Sequence, residues 1–152
     1  GLRVGLVGSP MLRGTPEEAT AVRALTELYR VPGVTWYLLC HREPTLGGAV
    51  APERVRDLAP LVRDLTDAAA LLTQLDLVLG TDTSLTHLAG GLGLPLWVLL
   101  ESGPSWRWST ESGECPWYPS ARAFRQPRPG DWTSVFTEAR EALAGTIDPV
   151  TA

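Results

Sequence analysis

The sequence contains no lysine and no asparagine, and it has one isoleucine (Ile147) and one methionine (Met11). All four residue types are encoded by AT-rich codons, so their scarcity reads as the mark of a GC-rich genome. Arginine then carries every positive charge, with all 13 basic residues of that type. Without lysine, neither a Walker-type phosphate loop nor a Schiff-base enzyme can be assembled. The 17 acidic residues leave a net charge of −4, which argues against a phosphate-backbone binder of nucleic acid. Two cysteines, Cys40 and Cys115, make no secreted-type disulfide framework; Cys40 is expected in the core and Cys115 as a loop thiol. Metal ligands are scarce, with two histidines (His41 and His87) and no C-x-x-C or H-x-x-x-H spacing. No apolar run approaches the ~20 residues of a membrane span, and no targeting segment is visible, so a cytoplasmic protein is expected. The turn after the first apolar run, Gly5-Leu6-Val7-Gly8-Ser9, lacks G-x-G-x-x-G spacing, which leaves little support for a nicotinamide or flavin dinucleotide.

What is present alternates. Strand-like apolar runs at Leu2–Val7, Val34–Cys40, Leu75–Leu79, Pro95–Leu100 and Arg122–Arg125 are separated by helical periodicity. Helices are expected from Thr15-Pro16 through Tyr29, over Asp67–Leu72 with Thr66 or Asp67 as cap, over Ser84–Gly91, and over Asp131–Leu143. The stretch Pro52–Leu65 reads either as a helix broken at Pro60 or as a short strand near Val55–Leu58. Alternation of this kind predicts an α/β fold, a single Rossmann-like doubly wound parallel sheet. One domain is expected over residues 1–145, with a tail at 146–152; the initial glycine suggests a piece excised from a longer chain.

The most informative segment is Leu75 to Gly91: a buried strand, a polar turn (Gly80-Thr81-Asp82-Thr83) and a helix. Such a turn lies at the carboxyl edge of the sheet, where open α/β domains bind ligands. The free amides around Ser84 to Thr86 make an anion site with the helix dipole; Thr83 and Ser84 add hydroxyls, and His87 falls one turn further on the same side. The same residues are also ordinary capping residues. A helix dipole contributes ~1 kcal/mol, whereas a millimolar ligand needs about −4.1 kcal/mol, so further donors are required. Arg13 and Arg107 are the candidates to supply charge. Trp106, Trp108, Trp117 and Trp132 either stack on a ligand or plug the long Glu101–Ser120 loop onto the sheet, the latter expected for at least two of them. Arg122, Arg125 and Arg128 form a local basic cluster, expected to be solvated or to meet an acidic partner.

Four stretches carry a family resemblance: DLVLGTDTSLTHLAGGLGLPLWVLL (Asp76–Leu100), PSWRW (Pro104–Trp108), PWYPSARAFRQ (Pro116–Gln126) and PGDW (Pro129–Trp132). In order and spacing they resemble the donor-binding half of GT-B glycosyltransferases of the heptosyltransferase type. They are closer still to the glycosyltransferase-like domain at the C-terminus of bacterial tetratricopeptide-repeat proteins. The resemblance implies that a nucleotide diphosphate sugar is held at the carboxyl edge, without a metal or other cofactor. It implies that Asp82 bonds the sugar, while Thr83, Ser84, Leu85 (through its backbone) and His87 hold the diphosphate. It also implies a short third strand at Val55–Leu58 and an acceptor domain, or a helical-repeat domain, outside this chain. A fragment without that half is expected to be inactive alone. Two other readings stand beside it: a degenerate, non-catalytic domain acting in protein interaction, and a sugar-nucleotide epimerase.

Overall fold

The computed structural model describes residues 1–8, 15–40, 51–103, 106–108 and 115–147. Six strands alternate with helices: β1 (Leu2–Leu6), α1 (Ala19–Tyr29), β2 (Val34–Leu38), β3 (Val55–Asp57), α2 (Leu65–Leu72), β4 (Leu77–Gly80), α3 (Ser84–Gly91), β5 (Leu96–Leu100), β6 (Ala121–Arg125) and α4 (Trp132–Thr146). The strands form one sheet in the order β3-β2-β1-β4-β5-β6, and all five pairings are parallel. This is the doubly wound Rossmann-like arrangement that the alternation predicts. Among the described residues no helix is long and apolar enough to cross a membrane.

The two faces bury separate cores, and the period-two alternation of each strand divides its residues between them. Leu77 and Leu79 of β4, with Leu99 of β5 and Trp36 of β2, pack under α1 and α4 against Leu25, Leu28, Phe136 and Leu143. Val78, Leu96, Val98 and Leu100 face the opposite side, under α2 and α3 with Leu72 and Ala89. Strands covered on both faces need apolar residues at every position, which is why LVLG and LWVLL carry no polar residue. Trp36 is fully buried; its indole N–H donates to the Tyr29 carbonyl at 3.0 Å, and the two rings meet edge to face. The starts of β1 and β4 are fastened by Asp76, which accepts from the Arg3 backbone (2.8 Å), Nε (3.0 Å) and Nη2 (2.7 Å). Those bonds from Arg3 hold the Asp76 carboxyl below the usual carboxylate range.

Several boundaries differ from expectation. Pro52–Leu65 is not a broken helix: β3 occupies Val55–Asp57, one residue shorter than implied, between single 3-10 turns at Pro52–Arg54 and Ala59–Leu61. The second of these takes up Pro60. Helix α2 is capped by Asp64 rather than by Thr66 or Asp67, because the Asp64 carboxylate accepts from both of their backbone amides at 2.9 Å. Helix α4 continues past Leu143 to Thr146, and Ile147 packs against the core beside Gly33. Cys115 does lie in a loop, but it is buried in the second core.

Candidate functional site

The chain leaves β1 toward β2 and β3, and leaves β4 in the opposite direction toward β5 and β6. The carboxyl ends of β1 and β4 therefore flank the crevice at which open sheets bind ligands. Gly8 and Gly80 let the two backbones meet there. A Cβ on Gly80 would come within 2.7 Å of Val7 and 3.0 Å of the Gly8 nitrogen, and one on Gly8 within 2.9 Å of the Thr83 methyl. Thr81 N–H donates to the Gly8 carbonyl (3.3 Å), and the Thr83 hydroxyl to that of Val7 (3.4 Å).

The turn is locked by a reciprocal cap. The Thr83 hydroxyl accepts from the Thr86 amide (3.4 Å), and the Thr86 hydroxyl accepts from the Thr83 amide (2.8 Å). Thr86 is fully buried and donates back to the Thr83 carbonyl at 2.6 Å, with the Thr81 carbonyl at 3.0 Å. A helix leaves four amides unpaired at its start. Here the cap consumes those of Thr83 and Thr86. The amides of Ser84 and Leu85 have no acceptor among the described residues, and Ser84 is exposed.

His87 stands beside this start with both ring nitrogens engaged. Nε2 lies 2.8 Å from Asp82 Oδ1, and Nδ1 lies 2.9 Å from the Tyr118 hydroxyl. The imidazole also lies against the indole of fully buried Trp108, with centroids 4.6 Å apart. Tyr118 reaches it because Gly90 has no side chain: a Cβ there would fall 2.6 Å from the Tyr118 ring.

The structure thus brings together Asp82, Thr83, Ser84, Leu85 and His87. Arg13 lies outside the described residues. Arg107 and Trp106 pack on each other, the guanidinium 5.0 Å from the ring centroid; among the described residues neither bonds or stacks with the turn. Trp106 and Trp117 are 73% and 62% exposed, whereas Trp108 is sealed and Trp132 stacks on Phe136. Of the loop tryptophans described only Trp108 plugs the loop onto the sheet; Trp132 lies in α4 and stacks on a residue of its own helix, so the expected plug of at least two is not met. The two described stretches of the loop are joined to each other through Cys115 Sγ to the Arg107 carbonyl (3.3 Å) and Trp117 Nε1 to the Trp106 carbonyl (3.3 Å).

The Arg122-Arg125-Arg128 cluster disperses. Arg122 lies over Phe124 and pairs with Glu138, Arg128 pairs with Asp131, and Arg125 binds the carbonyls of Glu101 and Gly103. Among the described residues no group of three or more His, Cys, Asp or Glu side chains is placed to hold a metal ion. Tyr118 and Trp108 as partners of His87 were not legible in the sequence. The only local signal was Gly90, a glycine inside a helix, which marks close approach by another group.

Comparison with known proteins adds the family. The model of Glycosyltransferase family 9 (heptosyltransferase) matches residues 20–131, from α1 to the cap of α4. Protein FlbA of Caulobacter vibrioides is 37% identical over 83 residues, which make up 55% of this chain and 14% of that protein. The chain thus corresponds to a small part of that relative's length. A parallel sheet with this turn at its switch point, matched over most of its length, places the chain in glycosyltransferase family 9, the heptosyltransferase family of GT-B type.

Proposed function

We propose that this domain is the donor-binding half of a metal-independent glycosyltransferase. It grips the diphosphate of a nucleotide sugar at the start of α3 and works with an acceptor domain that lies outside this chain. The reading extends to a place at the C-terminus of a longer, tetratricopeptide-repeat-associated protein. The observation that carries it is the pair of amides, Ser84 and Leu85, that find no acceptor among the described residues, at the switch point beside Asp82 and His87. Hydrogen bonds to a charged acceptor contribute about 1.5–3 kcal/mol each. Two of them plus the helix dipole reach the roughly −4 kcal/mol of a millimolar complex. As the glycosidic bond breaks, charge accumulates on the departing diphosphate, so donors fixed in place stabilise the transition state more than the ground state. Asp82 accepts from a sugar hydroxyl, and the His87 Nε2–H turns to a phosphate oxygen. Arg13, Trp106 and Arg107 are assigned to the remaining charge and to stacking on the base or sugar.

The test is an amide-resolved NMR titration of the chain with ADP-, UDP- and GDP-sugars. Shifts at Ser84, Leu85 and the His87 ring at millimolar ligand are expected. Silence at those positions for all three ligands refutes the assignment. The exposed Trp106–Trp117 pair favours a second reading, a non-catalytic domain that docks a protein partner. Trp106→Ala separates the two: it weakens nucleotide-sugar binding under the first reading and leaves it untouched under the second.

A further inference from the structure

The long loop after β5 does more than cover the sheet. Its two described stretches, 106–108 and 115–120, are joined to each other and converge on one side chain of α3, His87. Trp108 lies against the imidazole face, Tyr118 meets it edge-on at 5.7 Å, and the Tyr118 hydroxyl sits 2.9 Å from Nδ1. A helix residue one turn from the sheet edge is thereby oriented by a segment 31 positions away.

The direction of the hydrogen bonds follows from the groups. An ionised carboxylate only accepts, so Asp82 requires the proton on Nε2. In a neutral ring Nδ1 is then an acceptor, and the Tyr118 O–H, 2.9 Å away, donates to it. The chain runs Tyr118 O–H to Nδ1, then Nε2–H to Asp82. We propose that Tyr118 is a positioning residue: with Asp82 drawing the proton to Nε2, the Tyr118 hydroxyl donates to Nδ1 and holds the ring in that tautomer and orientation, so that it presents a donor, and not a lone pair, at the start of α3. A lone pair there would repel a phosphate oxygen. The Nε2–H in the same place bonds it, with Asp82 as the acceptor that the anion replaces. Trp108 keeps the ring from swinging out of this plane. The anion part of the inference rests on the donor-binding reading, whereas the tautomer does not.

Two measurements test it. Long-range proton–nitrogen spectra of the imidazole, taken at about pH 8.5 where an ordinary histidine is neutral, report the tautomer without any ligand. The chain has two histidines, and His41→Gln assigns the signals. Wild type is expected to show a single Nε2–H form with a hydrogen-bonded Nδ1. Tyr118→Phe keeps the ring on Gly90 and is expected to move the Nδ1 resonance and broaden or mix the tautomer. It is also expected to weaken inorganic pyrophosphate binding about three- to tenfold, the worth of one neutral hydrogen bond. An Nδ1–H form in wild type, or ring nitrogens unmoved by Tyr118→Phe, overturns the proposal. Absence of pyrophosphate binding by wild type with the expected tautomer refutes the donor-binding reading and leaves the positioning role of Tyr118 standing.

Discussion

Replacing Thr86 with valine separates the hydroxyl of the α3 cap from everything else that residue does. Valine keeps the β-branch and nearly the same shape, so rotamer restriction and packing inside the second face change little. What disappears is one oxygen that accepts from the Thr83 amide at 2.8 Å and donates to the Thr83 carbonyl at 2.6 Å, with the Thr81 carbonyl at 3.0 Å. Thr86 is fully buried, so water does not replace the hydroxyl where it stood. An orphaned buried donor or acceptor costs about 1–3 kcal/mol. Thr81 and Thr83 lie at the sheet edge and are half-buried, which lowers the cost for each and gives about 2 kcal/mol in all. For a chain of this size that is a fall in Tm of about 4–8 °C. Urea melts followed by far-UV circular dichroism measure the free energy, and a thermal scan measures the shift. Thr86→Ser, which keeps the oxygen, is the control and should lose much less. If Thr86→Val lies within about 0.5 kcal/mol of wild type, the cap does not hold the turn, and the argument that it fixes the Ser84 and Leu85 amides fails with it.

Other outcomes follow from the same geometry. Gly90→Ala improves intrinsic helix propensity by up to about 1 kcal/mol, yet its Cβ would meet the Tyr118 ring at 2.6 Å. It should be net destabilising by about 1–3 kcal/mol in urea melts, while Gly91→Ala, with nothing within 4 Å of its Cβ, should be neutral or stabilising. The Asp76 carboxyl is held below its ordinary value of 3.8 by Arg3, so the folded state binds this proton less readily than the unfolded chain. Its contribution is complete above that value and is lost as pH falls through the lowered one. The Tm gap between wild type and Asp76→Asn should therefore shrink on acidification below about pH 4; a gap that is constant down to pH 2 contradicts the assignment.

The alternation of strands and helices was legible because apolar runs such as LVLG and LWVLL admit no other burial pattern. β3 was ambiguous because only Val55 of its three residues is inward, with Arg56 and Asp57 exposed, too short a stretch for alternation to register. The cap of α2 was misplaced because Asp64, Thr66 and Asp67 are all capping residues within four positions. The extended backbone at Asp64, set by the chain arriving from Val62, decides among them. The last helix was expected to end at Leu143, but it runs to Thr146, where Ile147 docks beside Gly33 next to the last turn of α4. At the site, Asp82 to His87 was readable because capping and helical spacing are local. Tyr118 and Trp108 were not, since only the folded loop brings them to His87. The basic cluster is solvated at Arg122 and Arg128, which pair with Glu138 and Asp131, as expected; not legible was that Arg122 and Arg125, three apart on a strand, point to opposite faces and that Arg125 binds the carbonyls of Glu101 and Gly103.

The backbone contact at Gly8 and Gly80 has an engineering consequence. The ends of β1 and β4 are joined there by the Thr81 N–H on the Gly8 carbonyl and the Thr83 hydroxyl on that of Val7, at a separation that a side chain on either glycine would spoil. Sequences grafted after Gly8 should leave the α3 cap in place, provided both glycines stay. On the donor-binding proposal, grafting such segments and following the Ser84 amide with each nucleotide sugar would test whether selectivity can be exchanged while the turn stays fixed.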